Sequence, residues 1–432
     1  MKISKYNYYV KDGKDCFWFN GITQFFLKLD VDLSKKLENN LINNIEGVKN
    51  SIPALYEKLI MKGFVIEDNV EEVDLIRELN DKVSNSKNYF LIILPTLNCN
   101  FNCWYCVQDH VETKMDQITF SNIKKHIKKM VIEEKIESLH IEWFGGEPFL
   151  FFDEIVKPLS IYALNLCKKH ELPFRNTATT NGYLLNKTSA ISLEKLGFKH
   201  FQISIDGTRI QHNKVKNSKD GNSAFDVTLE NINFILSNSN NIQITLRLNY
   251  SNKNLKESII KEVNGLIEEK NRTKIKVVFR RIWQEKADET RGEKITEMIN
   301  SFEESGYCTS RWDLDNGFIP SYADKKYYNA INYNGNVLKC TANDDLQHNN
   351  PPGKLENDGN IAWEDGVLDK IYKKRFENEL CISCKYLPLC MGNCGRDYKK
   401  ELNIKIDPVC VKNLDLTYEE LILNFCKDKN FR

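Results

Sequence analysis

The sequence lacks an excess of charge of either sign. Sixty-one Lys and Arg stand against 60 Asp and Glu, a formal net charge of +1 over 432 residues. That excludes a general nucleic-acid or membrane-surface binder, which needs a basic excess, while leaving room for a local basic patch. Long apolar runs are missing too. Stretches such as Tyr89 to Leu94 fall far short of the ~20 residues that cross a bilayer. The opening MKISKYNYYVKDGKD has no apolar core and no small-residue cleavage site, so no signal peptide is expected and a cytoplasmic location is. Low-complexity tracts and short repeats are also absent. What remains is an ordinary apolar share and abundant charge of both signs, in a chain long enough for two or three domains.

Cysteine is the exception to this plainness, with 13 copies. In a reducing compartment they are not expected to be structural disulfides. Three fall at 99–106 and five between Cys381 and Cys410. Clusters of that kind in a large intracellular chain read as metal ligands. Cys16, Cys167 and Cys426 stand alone and read as small buried apolar residues.

Periodicity divides the chain into three. Runs at Tyr89–Pro95, Ser138–Phe144, Phe174–Thr180, His200–Ile205, Ile242–Asn249 and Lys274–Phe279 are rich in β-branched and aromatic residues. Helically spaced stretches lie between them, at Ser121–Lys135, Phe152–His170, Lys187–Leu196, Ala224–Leu236 and Leu255–Lys270. Six strand–helix alternations predict a parallel sheet with crossover helices, and chemistry on the face where the strands end. Six units are too few for an eightfold barrel, so a curved, open sheet is expected. Before it, short strands at Tyr6–Val10, Asp15–Phe19 and Phe25–Leu29, then helices near Leu33–Asn44 and Ser51–Lys62, predict a small α+β unit of winged-helix type. After Trp283 the pattern becomes irregular, and cysteine-rich segments there imply metal staples. The expected domains are 1–85, 86–300 and 301–432, the whole being an α/β protein.

Cys99, Cys103 and Cys106 follow directly on the first strand of the α/β region. Three thiolates from one loop can hold three irons of a cubane and leave the fourth iron open. Zinc is the plain alternative, but structural zinc favours CxxC pairs with a fourth nearby Cys or His, and only His110 stands close.

CNFNCWYC resembles the CxxxCxΦC motif of the radical S-adenosylmethionine (SAM) superfamily, with Tyr105 at the aromatic position. Phe144-Gly145-Gly146-Glu147-Pro148 resembles that family's GGEP motif, and the resemblance extends from Tyr89 to about Trp283. It implies a partial (β/α)6 TIM-like barrel and a [4Fe-4S] cluster whose open iron chelates SAM. Reductive cleavage of SAM would then give a 5′-deoxyadenosyl radical that abstracts hydrogen from an unactivated position. Further cofactor contacts are expected from Gly145 and Gly146 through close backbone approach, and from Glu147 through an ammonium group. Ser204 and Asp206 lie at the end of Ile-Ser-Ile-Asp-Gly, and Arg247 can pair with the SAM carboxylate. Asn181, in a TNG turn, and Asn249 are open between a local and a functional role. Relatives often carry His-Asp-x-x-Arg after the SxDG strand. Here it reads His212-Asn213-Lys214-Val215-Lys216, so no role is carried over to those positions.

Cys381-x2-Cys384-x5-Cys390-x3-Cys394-x15-Cys410, with Gly335-x4-Cys340 upstream, resembles the SPASM domain and its auxiliary iron–sulfur clusters. That resemblance assigns Cys381, Cys384, Cys390 and Cys410 to one cluster and Cys394 and Cys340 to another. Ser321 stands where relatives have a further cysteine. Cys308 as third thiolate, Ser321 as an oxygen ligand, and an absent or labile cluster are the three readings. SPASM-bearing relatives mostly modify peptides or proteins. The N-terminal unit favours a ribosomally made precursor peptide, docked by β-augmentation and either crosslinked through thioether or carbon–carbon bonds or epimerised, with a flavodoxin- or ferredoxin-type electron donor. The alternatives are a formylglycine-generating sulfatase maturase and, in another class, a non-catalytic iron–sulfur or zinc protein.

Overall fold

A computed structural model describes residues 1–106, 108, 110–282, 284–286, 290–309, 322–341, 351–368, 376, 379–390 and 417–430. They fall into two compact units. One joins residues 1–85 to the described part of 370–432, and the other holds 86–310 and 322–369.

In the smaller unit, β1 (Lys2–Ile3) pairs antiparallel with a later short strand. β2 (Asn7–Asp12), β3 (Asp15–Asn20) and β4 (Phe26–Asp30) form an antiparallel meander in that order. Then come α1 (Val31–Asn43), α2 (Ile45–Ser51), α3 (Pro53–Met61), β5 (Val65–Ile66), which is the partner of β1, and α4 (Glu72–Ser84). Between the two expected helices, which are α1 and α3, lies a further one, α2, because Asn44 leaves helical geometry and its Oδ1 accepts from Gly47 N at 2.8 Å, starting a new helix. Alternation along β3 feeds two cores. Cys16 and Trp18 pack on Leu37, Leu41, Tyr56 and Leu59. Phe17 and Phe19, with Tyr8 and Val10 of β2, pack on Leu421, Ile422 and Phe425 of the C-terminal helix Tyr418–Asn430. Both faces of this small sheet are therefore covered, and among the described residues the outer edge of β4 pairs with no strand.

The larger unit is built on β6 (Asn88–Ile93), β7 (Ser138–Trp143), β8 (Phe174–Thr180), β9 (Phe198–Ile205), β10 (Gln243–Tyr250) and β11 (Ile275–Arg281). They lie side by side in chain order, all parallel. The helices between them include α5 (Gln117–Ile132), α6 (Lys157–Lys169), α7 (Lys187–Leu193), α8 (Arg209–Val215), α9 (Ala224–Ser237), α10 (Ser258–Asn264) and α11 (Glu269–Arg272). α12 (Thr290–Glu304) follows β11 and leads to β12 (Cys308–Thr309), which pairs parallel with it. This is the expected α/β architecture of six β/α units. One side of each strand feeds the core shared with the helices, as Leu139, Ile141 and Trp143 do on β7.

The chain after 301 departs from the expected irregular domain. β13 (Tyr328–Ile331) adds to the open edge of β6, parallel to it. β14 (Asn336–Leu338), β15 (Gly353–Leu355) and β16 (Ile361–Trp363) then extend the sheet antiparallel to eleven strands. Every residue of β13 is buried. A strand covered on both faces carries no polar–apolar alternation to read. A buried network ties it in: the Tyr89 hydroxyl meets His126 Nε2 at 2.6 Å, Asn329 Nδ2 donates to that hydroxyl at 3.0 Å, and His126 Nδ1 lies 2.8 Å from Gly359 O. Among the described residues no helix is long and apolar enough to cross a membrane.

Candidate active site

The loop that leaves β6 is closed on itself before any ligand is considered. Thr96 Oγ1 donates to Thr113 O at 2.5 Å, Leu97 N donates to Thr113 Oγ1 at 2.8 Å, and Met115 N donates to Pro95 O at 2.9 Å. Cys106 N donates to Cys103 O at 2.9 Å, folding the cysteine stretch back. The 144–148 turn lies against this loop, with Gly146 N on Thr96 O at 3.1 Å and Glu147 N on Asn98 O at 2.8 Å. Here the two glycines have a local reason that close approach to a ligand does not supply. A Cβ on Gly145, whose φ is +124°, would stand 2.3 Å from Thr96 O, and one on Gly146 would stand 2.1 Å from Asn98 O. They let one turn seat the other.

Glu147 is fully buried and spoken for by the protein. Its carboxyl accepts from Asn181 N at 2.9 Å and Phe149 N at 3.0 Å, and Thr180 Oγ1 lies 2.8 Å from both oxygens. Burial pushes its pKa up to about 7, against those hydrogen bonds. It thus fixes the end of β8. Asn181, so placed, reaches across to the cysteine loop, its Nδ2 donating to Asn100 Oδ1 at 2.7 Å and lying 3.8 Å from Cys99 Sγ.

A second cluster gathers where β9 and β10 end. Asp206, 1% exposed, pairs with Lys216 Nζ at 2.6 Å and accepts from the Tyr105 hydroxyl. Asn249 Nδ2 donates to the same hydroxyl at 2.9 Å. Burial alone would raise Asp206, but the Lys216 ammonium, the His212 ring and the Tyr105 hydrogen bond together hold the carboxyl low. Lys216 also donates to Ser204 O at 2.8 Å and Ser204 Oγ at 3.0 Å. His212 Nδ1 accepts from Asp206 N at 3.1 Å, and burial drives this histidine down to about 3, so it is neutral. Tyr105 is thereby anchored from the cysteine loop to two strand ends, while its neighbour Trp104 is 63% exposed.

These groups surround one cavity of about 190 Å³. Cys99, Cys103 and Cys106 line it on one side, and Thr179, Ser204, Lys216 and Arg247 are among the groups lining the rest. Glu147 and Asp206 do not line it; they hold residues that do. Burial raises Cys99 to about 12, with the Glu147 charge adding to it, and Cys103 to about 11, against the pull of Lys216. Such thiols ionise only beside added positive charge, which iron brings. The Arg247 Nε is buried with no hydrogen-bond partner, and burial followed by Arg280 lowers its pKa. An unpaired guanidinium nitrogen on one cavity with three thiols of one loop fits a metal cluster with a ligand that carries a carboxylate. Among the described residues no three Cys, His, Asp or Glu side chains are placed to hold a single metal ion. A cubane is wider than an ion, so its thiolates need not converge on a point.

The residue that sequence reading passed over is Lys216. Its signal was present: it occupies the basic position of the His-Asp-x-x-Arg pattern with the charge kept. Of the other cysteines, Cys16, Cys167 and Cys426 are buried as expected, and like Cys99, Cys103, Cys106, Cys308, Cys340, Cys381 and Cys384 they are thiols not joined in disulfides. Cys340 is buried just after β14, 3.5 Å from the Tyr322 hydroxyl. Cys308 is exposed on β12, its thiol 3.4 Å from Thr273 O, with seven strands between it and β14 in the sheet order. Cys381 and Cys384 belong to the smaller unit, where Cys384 N donates to Cys381 O at 3.1 Å. Cys390 ends the short helix Leu387–Cys390. Cys394, Cys410 and Ser321 lie outside the described residues.

Residues 93–259 match the family model described as Radical SAM superfamily. Among curated proteins the chain is similar to the radical SAM cyclopropyl synthase TigE of Paramaledivibacter caminithermalis, 23% identical over 56% of each chain. It is also similar to a GTP 3′,8-cyclase of Campylobacter jejuni, 33% identical over 32% of this chain and 40% of the cyclase. These alignments span about half the length of the curated relatives or less. Among solved structures, anSMEcpe with bound AdoMet and the Kp18Cys peptide superposes with a TM-score of 0.54 at 18% identity, covering 79% of this chain and 96% of the other. Streptococcus suis SuiB bound to its precursor peptide SuiA gives 0.51 at 16% identity, covering 92% and 96%. At those identities the likeness is one of fold, and it makes the six β/α units a partial barrel.

Proposed function

Residues 93–259 form a radical SAM domain, and on that premise we propose that the chain is an oxidoreductase that matures a ribosomally made peptide. The observation that carries the radical chemistry is the single cavity on which three thiols of one loop face Lys216 and Arg247. A [4Fe-4S] cluster on Cys99, Cys103 and Cys106 with bound SAM would supply a 5′-deoxyadenosyl radical able to abstract hydrogen from the peptide. The chain's own residues do the rest. Arg247 offers its unpartnered cationic Nε–H to the SAM carboxylate, while Lys216, its three donors taken by Asp206 and Ser204, holds that wall together. Ser204 is held in place by Lys216 and turns its hydroxyl to the same wall. Asp206 does not touch the ligand; it neutralises Lys216 and ties down Tyr105, so the cysteine loop keeps one shape. Glu147 fixes the Asn181 turn beneath that loop.

The peptide reading is supported by the smaller unit. A three-stranded meander with both faces covered and the β4 edge unpaired presents a row of backbone donors and acceptors, which an extended leader segment can extend. SuiB, bound to its precursor peptide, and anSMEcpe, bound to a peptide, share the fold. A thioether or carbon–carbon crosslink, or epimerisation, is the product class proposed. Cys381, Cys384, Cys390, Cys394 and Cys410, together with Cys340, are proposed to hold SPASM-type auxiliary clusters, with Cys308 the weakest assignment. A flavodoxin- or ferredoxin-type protein would supply electrons.

Anaerobic reconstitution with iron, sulfide and SAM tests this. Reduction with dithionite should yield 5′-deoxyadenosine, and a Cys99→Ala, Cys103→Ala, Cys106→Ala triple variant should lose it while retaining the remaining iron signal. Absence of 5′-deoxyadenosine from the wild type, with or without peptide, sinks the enzyme reading.

A further inference from the structure

The three thiols of the cysteine loop are not placed alike. Cys99 and Cys103 are half-buried, and Cys106 is exposed. Cys99 has protein donors beside it: Phe101 N donates to its Sγ at 3.4 Å, and Asn181 Nδ2 lies 3.8 Å from it. Beside Cys106 stands His110, whose ring Nε2 is 3.1 Å from the Cys106 Sγ. Both residues line the cavity. The backbone turns sharply to bring the ring there. His110 takes a φ of +47°, in the left-handed region that residues other than glycine seldom adopt. Such a conformation persists only where surrounding contacts hold it. The chain beyond is pinned to the β6 loop, with Leu97 N donating to Thr113 Oγ1 at 2.8 Å and Met115 N to Pro95 O at 2.9 Å.

The distance decides what kind of contact this is. An imidazole and a thiolate that share one zinc stand roughly 3.5 Å apart, from bonds of about 2.0 and about 2.3 Å at the tetrahedral angle. At 3.1 Å the ring meets the sulfur itself, as in a hydrogen bond. A thiolate bound to iron has no proton to give, so the ring must present Nε2–H and donate it. Hydrogen bonds to the sulfurs and exposure to solvent are among the quantities that set the potential of an iron–sulfur cluster. The reduced cluster carries one more negative charge than the oxidised one. An N–H aimed at a ligating sulfur therefore stabilises the reduced form more, and the potential rises.

We propose that His110 is a positioning residue for the SAM-binding cluster: its Nε2–H donates to the Cys106 thiolate, fixes the exposed corner of the cluster and raises its reduction potential. This rests on the reading above that Cys99, Cys103 and Cys106 hold that cluster. His110 acts through Cys106 and is not itself an iron ligand. It lies outside the CNFNCWYC segment, four residues after its last cysteine, and reaches that cysteine by the turn at its own backbone.

The test uses the full chain, reconstituted anaerobically with iron and sulfide. It follows the reduced cluster whose electron paramagnetic resonance signal changes when SAM is added, and reads its potential by mediated redox titration without SAM. His110→Phe keeps a planar ring and removes the donor. At a fixed ambient potential its reduced-to-oxidised ratio should fall about threefold or more, a tenfold fall being about 59 mV for one electron. His110→Gln keeps an N–H donor and should recover most of that fall. Equal potentials in wild type and His110→Phe overturn the inference. An equal fall in both variants also overturns it, because the bulk of the ring and not its donor would then matter. Wild type carrying isotopically labelled histidine nitrogens decides the matter even if His110→Phe takes up no iron. The SAM-responsive signal should show a weak coupling to a histidine nitrogen. No coupling, or one the size of an iron-bound imidazole, overturns the inference and leaves the cluster reading standing. A wild type with no SAM-responsive signal overturns the cluster reading, and this inference with it.

Discussion

Asp206 and Lys216 form an ion pair in which neither side chain is more than 3% exposed. Removing one partner of such a pair strands the other charge in the interior, at a cost of about 3–5 kcal/mol. Lys216→Met should therefore lower the urea midpoint strongly, whereas Lys216→Arg, which keeps the charge, should lose much less. If the two variants unfold alike, the pair is not what stabilises the β9 end. Gly146 supplies a second residue-level prediction. An alanine there places Cβ 2.1 Å from Asn98 O and 2.4 Å from Leu97 O, both backbone atoms that cannot swing aside. The overpacking should cost about 1–3 kcal/mol. It should also push the cysteine loop off its seat, so iron bound after reconstitution should fall in Gly146→Ala, as measured by colorimetric iron assay against wild type. Position by position, the cysteines and glycines were legible because few other residues can do what they do. Lys216 was passed over because its partner Asp206 lies ten residues away, and only the fold shows that the two meet.

Among the elements, the six parallel strands were read to within about two residues at most ends, because each is flanked by helices of clear period. β13 was not read. Its pairing with β6 spans more than 200 residues of chain, and its four buried residues give no alternation. The Tyr89–His126–Asn329 network joins β6, α5 and β13. Tyr89→Phe leaves the buried His126 Nε2 and the Asn329 amide without that hydroxyl, which should cost about 1–3 kcal/mol. Hydrogen exchange should localise the loss to β6 and β13; uniform loss across the sheet would mean that the network does not staple this edge. On the smaller unit, the β4 edge predicts that Leu29→Pro, which interrupts the strand, should weaken binding of an extended leader peptide while leaving SAM affinity of the larger unit unchanged. Calorimetric titration of both ligands checks this.

For the molecule as a whole, four histidines, His126 and His212 buried and His140 and His200 partly buried, set the acid limit of the larger unit. Burial lowers His126 and His200 to about 4, and His140 and His212 to about 3, from 6.5. The unfolded chain therefore binds more protons than the folded one as pH falls below 6.5, and stability supplied by the neutral rings drains away toward pH 3–4. Glu147, raised to about 7, acts in the opposite sense between 4.5 and 7, as does the raised Glu142. With the histidines in the majority, the urea midpoint followed by near-UV circular dichroism should decline from pH 6.5 to 4.5. A flat or rising profile would show that the carboxyls dominate.

The sequence by itself determined the chemistry on offer and the repeating frame. Thiol spacing, glycine pairs and strand–helix period are local properties, written in consecutive residues. Only the tertiary structure decided which charges meet, which backbone groups the Glu147 carboxyl accepts from, and that residues 328–363 extend the sheet beyond β6. Those outcomes depend on contacts between distant segments, and on burial, which turns an ordinary lysine or glutamate into an ion-pair partner or a hydrogen-bonded clamp.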